Sequence, residues 1–229
     1  MIVKRYFMAI ALLMTVGFVQ AQTKFGLKAG ANLSTFTGKS YTDNSLKAGF
    51  HAGGFAEIKA SEKLFVQLEL LYSEQGAKID FSQWIPDAAL RIKYDEKWNL
   101  NYLNIPVMLK YYVYKGFNIE AGPQIGILLK AEEKYESNFT SPDFPEGTIR
   151  TSGKDDITEH FKSIDVAINA GVGYDFTSHI FANARYSYGI IDIYDFSPNS
   201  QSDVPGQSID ITKSVARNNV LSVAVGYKF

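Results

Sequence analysis

The chain has 229 residues, 46% hydrophobic, 14% aromatic and 21% charged, with 23 basic against 24 acidic side chains and no cysteine. The lack of cysteine excludes disulfide frameworks, thiolate catalysis and cysteine-ligated zinc or iron–sulfur centres, and the even charge balance lacks the basic excess of a nucleic-acid binder. Eighteen Gly and seven Pro among abundant aromatics fit neither a collagenous nor a disordered chain.

In chain order the first element is a targeting segment. Lys4 and Arg5 precede an uncharged run from Tyr6 to Val19, and Val19, Gln20 and Ala21 close it with a small-x-small pattern. This reads as a signal peptide over 1–21, cut after Ala21, because an apolar run of fourteen residues falls short of the roughly 20 that a spanning helix needs. The remainder, 22–229, reads as one domain. No later apolar run reaches helix-spanning length, so a membrane can be crossed only by strands.

The rest alternates with period two, the signature of β-strands. Phe25, Leu27, Ala29, Ala31 and Leu33 alternate with Gly26, Lys28, Gly30 and Asn32. Phe50, Ala52, Gly54, Ala56 and Ile58 alternate with His51, Gly53, Phe55, Glu57 and Lys59. A third strand starts at Leu64, with Gln67 and Glu69 on its polar side, and a fourth spans Leu103 to Val113, with Asn104 and Lys110 there. Phe117–Leu129 and Ile164–Phe176 are the clearest, with Glu120, Gln124 and Lys130 and then Asp165 and Asn169 opposite their apolar sides. Ile180–Ile190 carries Asn183 and Arg185, and Leu221–Phe229 carries Gly226 and Lys228. That makes eight strands.

Their connections alternate in length. Three are tight turns, at Ser61–Lys63, Tyr114–Gly116 and Thr177–Ser178. Four are long, about Thr37–Lys47, Gly76–Asn101, Ala131–Lys162 and Ile191–Asn219, and rich in polar residues, Gly and Pro. The expected fold is all-β: an eight-stranded antiparallel up-and-down barrel with tight turns at one end and long loops at the other. Glycine crowding the polar side of the strands suits a narrow packed lumen, and would be a poor choice for a solvated surface. Aromatics gather at Tyr111, Tyr112, Phe117, Tyr174, Phe176, Tyr227 and Phe229, as in one interfacial girdle, and Tyr72, Trp98, Tyr102, Tyr186 and Tyr188 are expected to form the other. The apolar side therefore faces lipid, and the lumen is polar.

The segments FGLKAGANLS, GFHAGGFAEIK, FVQLELLYSEQGAKI, LNYLNIPVMLKYY, FNIEAGPQIGILLKAE, DVAINAGVGYDF and LSVAVGYKF resemble the porin-family, PorT-like outer-membrane β-barrel domain of Gram-negative bacteria. The resemblance runs from Phe25 to Phe229. It implies an integral barrel of the cell outer membrane, exported through a cleaved signal peptide, with some relatives linked to protein secretion and no accepted catalytic residues. Tyr227 and Phe229 resemble the C-terminal aromatic signal read by the barrel-assembly machinery.

An eight-stranded barrel is just wide enough for side chains to fill. Lys28, Glu57, Lys59, Glu69, Lys110, Glu120, Lys130, Asp165 and Arg185 are expected inside it as a polar network, since isolated buried ions are costly. The plain reading is a salt-bridged core; the functional one is an ion path or small-ligand site. Catalysis is not expected. His179 reads as a solvated turn residue, His160 lies in a charged loop with Asp155, Asp156 and Glu159, and only His51 points inward, with Glu57 on its face and Ser73 as a conceivable hydroxyl partner. No cofactor or metal is expected. Outer-membrane lipid is the expected surrounding, and loop aromatics such as Tyr135, Phe139, Phe144, Tyr194 and Phe196 would either contact a protein or glycan or close over the mouth as a lid. The favoured role is structural or interactive, accessory to transport or secretion; a narrow channel or ligand carrier is the alternative, and a lipid-modifying enzyme the third.

Overall fold

A computed structural model describes residues 23–38, 44–86, 89–142, 147–195 and 216–229. The expected signal peptide over 1–21 lies outside the described residues, as do Phe144 and Phe196. The strands are β1 (Thr23–Thr37), β2 (Asn44–Ser45), β3 (Lys47–Lys59), β4 (Leu64–Ile85), β5 (Leu90–Tyr114), β6 (Phe117–Thr140), β7 (Thr148–Asp156), β8 (Ile164–Asp175), β9 (Ile180–Gly189) and β10 (Arg217–Lys228). Every pairing is antiparallel, in the cyclic order β1-β3-β4-β5-β6-β8-β9-β10, and β10 pairs with β1 from Gly26↔Lys228 to Thr37↔Arg217. The sheet therefore closes on itself with eight strands and leaves no edge in the ring.

Alternation fixes which side is which. Leu27, Leu70, Leu109, Ile125, Ile168, Val223 and Val225 are exposed on the outside, while Lys28, Glu57, Glu69, Lys110, Glu120 and Arg185 are buried within. In water this distribution would expose far more contiguous apolar surface than a soluble protein carries. In hydrocarbon it is the favourable one. Among the described residues no helix is long and apolar enough to cross a membrane, so the crossing is made by strands. The turn between β5 and β6 is two residues, Lys115 and Gly116, both at positive φ, the backbone that matches the twist of a tight hairpin.

Two of the expected long loops are instead strand. Gly76–Ile85 and Leu90–Asn101 form a β4–β5 ribbon, paired from Gly76↔Asn99 out to Ile85↔Leu90. β6 runs on to Thr140 and pairs with β7 from Glu132↔Asp156 to Thr140↔Thr148. Strands of 22, 25 and 24 residues exceed the roughly 9–11 needed to cross the hydrocarbon, so β4, β5 and β6 project past the barrel with β7 as a four-stranded sheet. Beyond the membrane their alternation is charged on one side and mixed on the other, so it has no apolar stripe for a sequence reading to find.

Glycine shapes the lumen as expected, with a specific partner. Gly26 stands opposite Phe55 and Gly226 opposite Phe181 in the register. A Cβ at either would lie 2.3 Å from the facing ring. The two rings meet edge to face at 5.4 Å between centroids and lie over the bare backbone that the glycines provide.

Candidate functional site

The lumen is filled by three layers. At the turn end, Lys110 on β5 reaches Glu57 on β3 at 2.7 Å and donates to Gln67 Oε1 at 3.1 Å. Lys228 on β10 bridges Glu57 at 3.0 Å and Asp175 at 2.8 Å, and Tyr112 donates its hydroxyl to Asp175 at 2.8 Å. Both ammonium groups also lie over the Phe181 ring, at 5.4 and 5.3 Å, a favourable contact for desolvated cations.

The middle layer centres on Arg185. Its guanidinium grips Glu69 with two hydrogen bonds, of 3.0 and 2.8 Å, and donates Nε to Glu120 at 2.7 Å. Lys28 pairs with Glu69 at 2.7 Å and Asn183 donates to Glu120 at 2.8 Å. Gln67 joins the two layers, since its Nε2 donates to Glu69 at 2.5 Å while its carbonyl accepts from Lys110. Bidentate and charge-assisted bonds of this kind are the strong ones, and they fasten four strands together through the interior.

Above them His51 Nδ1 lies 2.8 Å from Asn32 Oδ1, and Asn32 Nδ2 donates to Ser73 at 3.0 Å. His51 and Ser73 stand opposite each other in the β3–β4 register and both bond Asn32, and Glu57 is engaged by the two lysines; among the described residues no hydrogen bond joins His51 to Ser73 or Glu57. Gln124 accepts from Asn169 at 3.3 Å, and Ser187 bonds Asn169 in turn. The space left between Lys28, His51, Gln75, Gln124 and Arg185 is about 30 Å³, room for a water or two and not for a solute.

The third layer is apolar. Phe36, Leu100, Tyr102, Leu128, Ala131, Ile157, Phe161, Ile193 and Tyr194 pack at the wide end with Trp98. Phe161 stacks on Tyr194 at 5.0 Å, and Trp98 meets them edge-on at 6.0 and 5.9 Å. Segments of the third and fourth connections thus close over the mouth as a lid, held by Lys162 N–H to Ile193 C=O at 2.8 Å and Asp195 N–H to His160 C=O at 3.0 Å. At its rim Glu96 sits beside Glu133, and burial, followed by repulsion from Glu133, pushes its carboxyl up to about 7.

Seven of the nine charged residues assigned to the lumen from the sequence are buried there: Lys28, Glu57, Glu69, Lys110, Glu120, Asp165 and Arg185. Asp165 takes no ion pair among the described residues and bonds instead to Asn218 and the Val166 backbone. The other two assignments are corrected. Lys59 is exposed because it ends β3 at the turn. Lys130 is exposed because the β5–β6 register shifts between Asn101↔Lys130 and Tyr102↔Leu128, leaving Leu129 as an extra residue that inverts the phase beyond it. On β5, Tyr102 and Trp98 share the even, inward phase of Asn104 and Lys110 and so sit inside the lid, not in the outer girdle. Tyr112 likewise turns inward. Lys228, Asp175 and Lys47 were absent from the sequence-based network. Lys228 falls on the polar phase of its strand, opposite Gly26, and could have been counted.

The remaining histidines lie outside. His179 is exposed, but its Nδ1 is 2.8 Å from the Lys228 carbonyl oxygen and its ring stacks on Tyr227, so it is pinned more firmly than a solvated turn residue. Beside His160, Asp156 accepts from the Thr158 N–H and hydroxyl at 3.0 and 2.7 Å. Among the described residues no group of three or more His, Asp or Glu is placed to hold a metal ion.

Comparison with solved structures finds Neisserial surface protein A, with 13% identity over 90% of this chain and 97% of that one and a TM-score of 0.45. Ail of Yersinia pestis, in complex with the heparin analogue sucrose octasulfate, has 12% identity over 90% and 99% and a TM-score of 0.42. OprG of Pseudomonas aeruginosa has 14% identity over 91% and 97% and a TM-score of 0.39. A search of curated proteins by sequence finds no significant match. The family model of the outer membrane protein beta-barrel domain matches residues 20–195. A closed eight-stranded ring with apolar side chains outside and ion pairs inside, matched by that model over most of its length, belongs to the outer membrane protein beta-barrel domain family and is a protein of the cell outer membrane.

Proposed function

We propose that the barrel is a closed anchor, non-enzymatic and non-conducting, whose task is to hold the projecting sheet of β4–β7 and the lid at the cell surface for contact with other components, as an accessory of transport or secretion. The observation that carries this reading is the continuous plug: two ion-paired layers linked through Gln67, capped by the aromatic layer around Trp98. A pore lined this way would have to break several charge-assisted bonds before an ion could pass. The link to secretion rests on the PorT-like resemblance alone. In biogenesis the barrel-assembly machinery is the proposed partner, with the outward aromatics Tyr227 and Phe229 as the groups it engages.

Planar-bilayer recording of the purified, refolded protein tests the reading. Silence at physiological salt is expected; stable single-channel steps whose selectivity changes with Lys110→Gln or Arg185→Gln would overturn it in favour of a narrow channel. For the enzyme alternative, the decisive comparison is the lipid A and phospholipid of a deletion strain. A change restored by the wild type and not by His51→Ala would refute the non-enzymatic assignment.

A further inference from the structure

The projecting sheet carries an arrangement that its own folding does not favour. Lys78 pairs with Lys97, Lys97 with Lys134 and Lys134 with Lys154 in successive registers. Four lysines therefore stand side by side across β4, β5, β6 and β7. Like charges directly opposite on neighbouring strands repel. Acidic rows flank them, Asp80, Asp95 and Glu136 on one side and Glu132 and Asp156 on the other, and these relieve the ends: Lys78 pairs with Asp80 at 2.7 Å and Lys154 with Glu132 at 2.6 Å. Asp95 is taken by Lys93 at 2.9 Å, and Glu132 also by Lys130 at 2.8 Å. Among the described residues no carboxylate lies within ion-pair distance of the two central lysines, Lys97 and Lys134, both exposed. A concavity of about 350 Å³ opens here, lined by Lys78, Lys97, Lys134 and Lys154 with Ser152, and at its edges by Asp95, Glu96 and Glu136.

The row lies on the same side of its strands as the lipid-facing residues Leu70, Leu103 and Ile127, so it looks sideways along the membrane surface and not into the lumen. Height decides what it meets there. Lys134 lies about 10 Å above Leu129, the last apolar outward residue of β6, taking four regular steps of about 3.4 Å and a tilt of roughly 40°. That exceeds the layer of roughly 5–7 Å that a simple phospholipid headgroup adds to each side of the hydrocarbon, and fits a taller, saccharide-bearing one. We propose that Lys97 and Lys134 bind a phosphate of a phosphorylated glycolipid headgroup in the outer leaflet, with Lys78 and Lys154 as flanking donors. The inference goes beyond the anchoring role and holds whether or not the lumen conducts.

The test titrates the full-length protein in detergent with phosphatidylcholine vesicles doped with diphosphorylated lipid A, with the same vesicles doped with its dephosphorylated form, and with inorganic pyrophosphate alone. Lys97→Gln/Lys134→Gln is expected to weaken binding of the phosphorylated vesicles about thirtyfold, each lysine near an anionic surface contributing roughly fivefold. Lys97→Arg/Lys134→Arg should retain it. The charge-matched control Lys59→Gln/Lys63→Gln, at the opposite end of the barrel, should leave it unchanged. An equal loss in the control, or no loss in the central pair, overturns the site. Pyrophosphate binding as tightly as the lipid vesicles overturns the lipid as its occupant.

Discussion

Arg185→Leu separates a structural plug from a decorative one. Arg185 is 5% exposed and holds two carboxylates at once, Glu69 through two hydrogen bonds and Glu120 through Nε at 2.7 Å. After the substitution Glu69 keeps Lys28 at 2.7 Å and the Gln67 amide at 2.5 Å. Glu120 keeps only the neutral Asn183 amide as a hydrogen-bond donor. The loss is thus one buried carboxylate left without its cation, which costs about 3–5 kcal/mol. Arg185→Leu/Glu120→Leu removes that stranded charge together with the guanidinium. Since apolar replacement of a whole buried pair is often neutral or stabilising, the double variant should return to within about 1 kcal/mol of the wild type. Urea unfolding in lipid vesicles, followed by tryptophan fluorescence, measures both. A single variant that loses less than about 1 kcal/mol, as at an exposed pair, or a double variant weaker than the single one, would refute the network.

Three further outcomes follow from the geometry. Ile125→Arg on the lipid face should destabilise by about 2–4 kcal/mol near the midplane, whereas Gln124→Arg, one residue away and inside, is limited by a cavity of about 30 Å³; identical unfolding and insertion behaviour for the two would contradict the face assignment. Gly226→Ala places a methyl group 2.3 Å from the Phe181 ring and should cost about 1–3 kcal/mol by overpacking, with thermal unfolding as the check. At the rim, Glu96 holds its proton more tightly in the folded sheet than in the unfolded chain, with its carboxyl pushed up to about 7, so the β5–β6 ribbon should loosen as pH rises from the ordinary carboxylate range through about 7. Trp98 emission in a Trp84→Phe background should shift over that interval, and Glu96→Gln should flatten the shift.

The transmembrane half of the molecule was open to sequence reading because two solvents act on it. Each strand from Phe25 to Leu33 or from Phe117 to Ile127 has lipid on one side and a packed lumen on the other, so period-two alternation names both faces. Where the strands leave the hydrocarbon that pressure ends. Gly76–Asn101 and Ala131–Lys162 read as loops because their outward residues became charged, although β4, β5, β6 and β7 keep pairing within them. Lys59 and Lys130 failed for different local reasons, a strand end and a bulge, and neither leaves a mark in composition. Trp98 and Tyr102 look like interfacial aromatics in a list of residues. Yet they share the even, inward phase of β5 with Asn104 and Lys110, so the alternation itself already turned them toward the mouth.

That bulge also decides what the outer surface of the sheet can do. Without an extra residue at Leu129, the strict alternation of β6 would carry Glu132 and Lys134 to the lumen side and turn Ala131 and Glu133 outward. The aromatic lid would then meet a lysine where Ala131 now packs, and the cross-strand partner of Lys97 would no longer stand beside it. One inserted residue therefore serves both ends of the chemistry: it keeps the mouth apolar enough to close over the ion-paired plug, and it aligns lysines whose sequence separations of 19, 37 and 20 positions conceal that they form a row. A charge at such a position gains its meaning from the neighbouring strands, through the register, and not from the residues on either side of it in the chain.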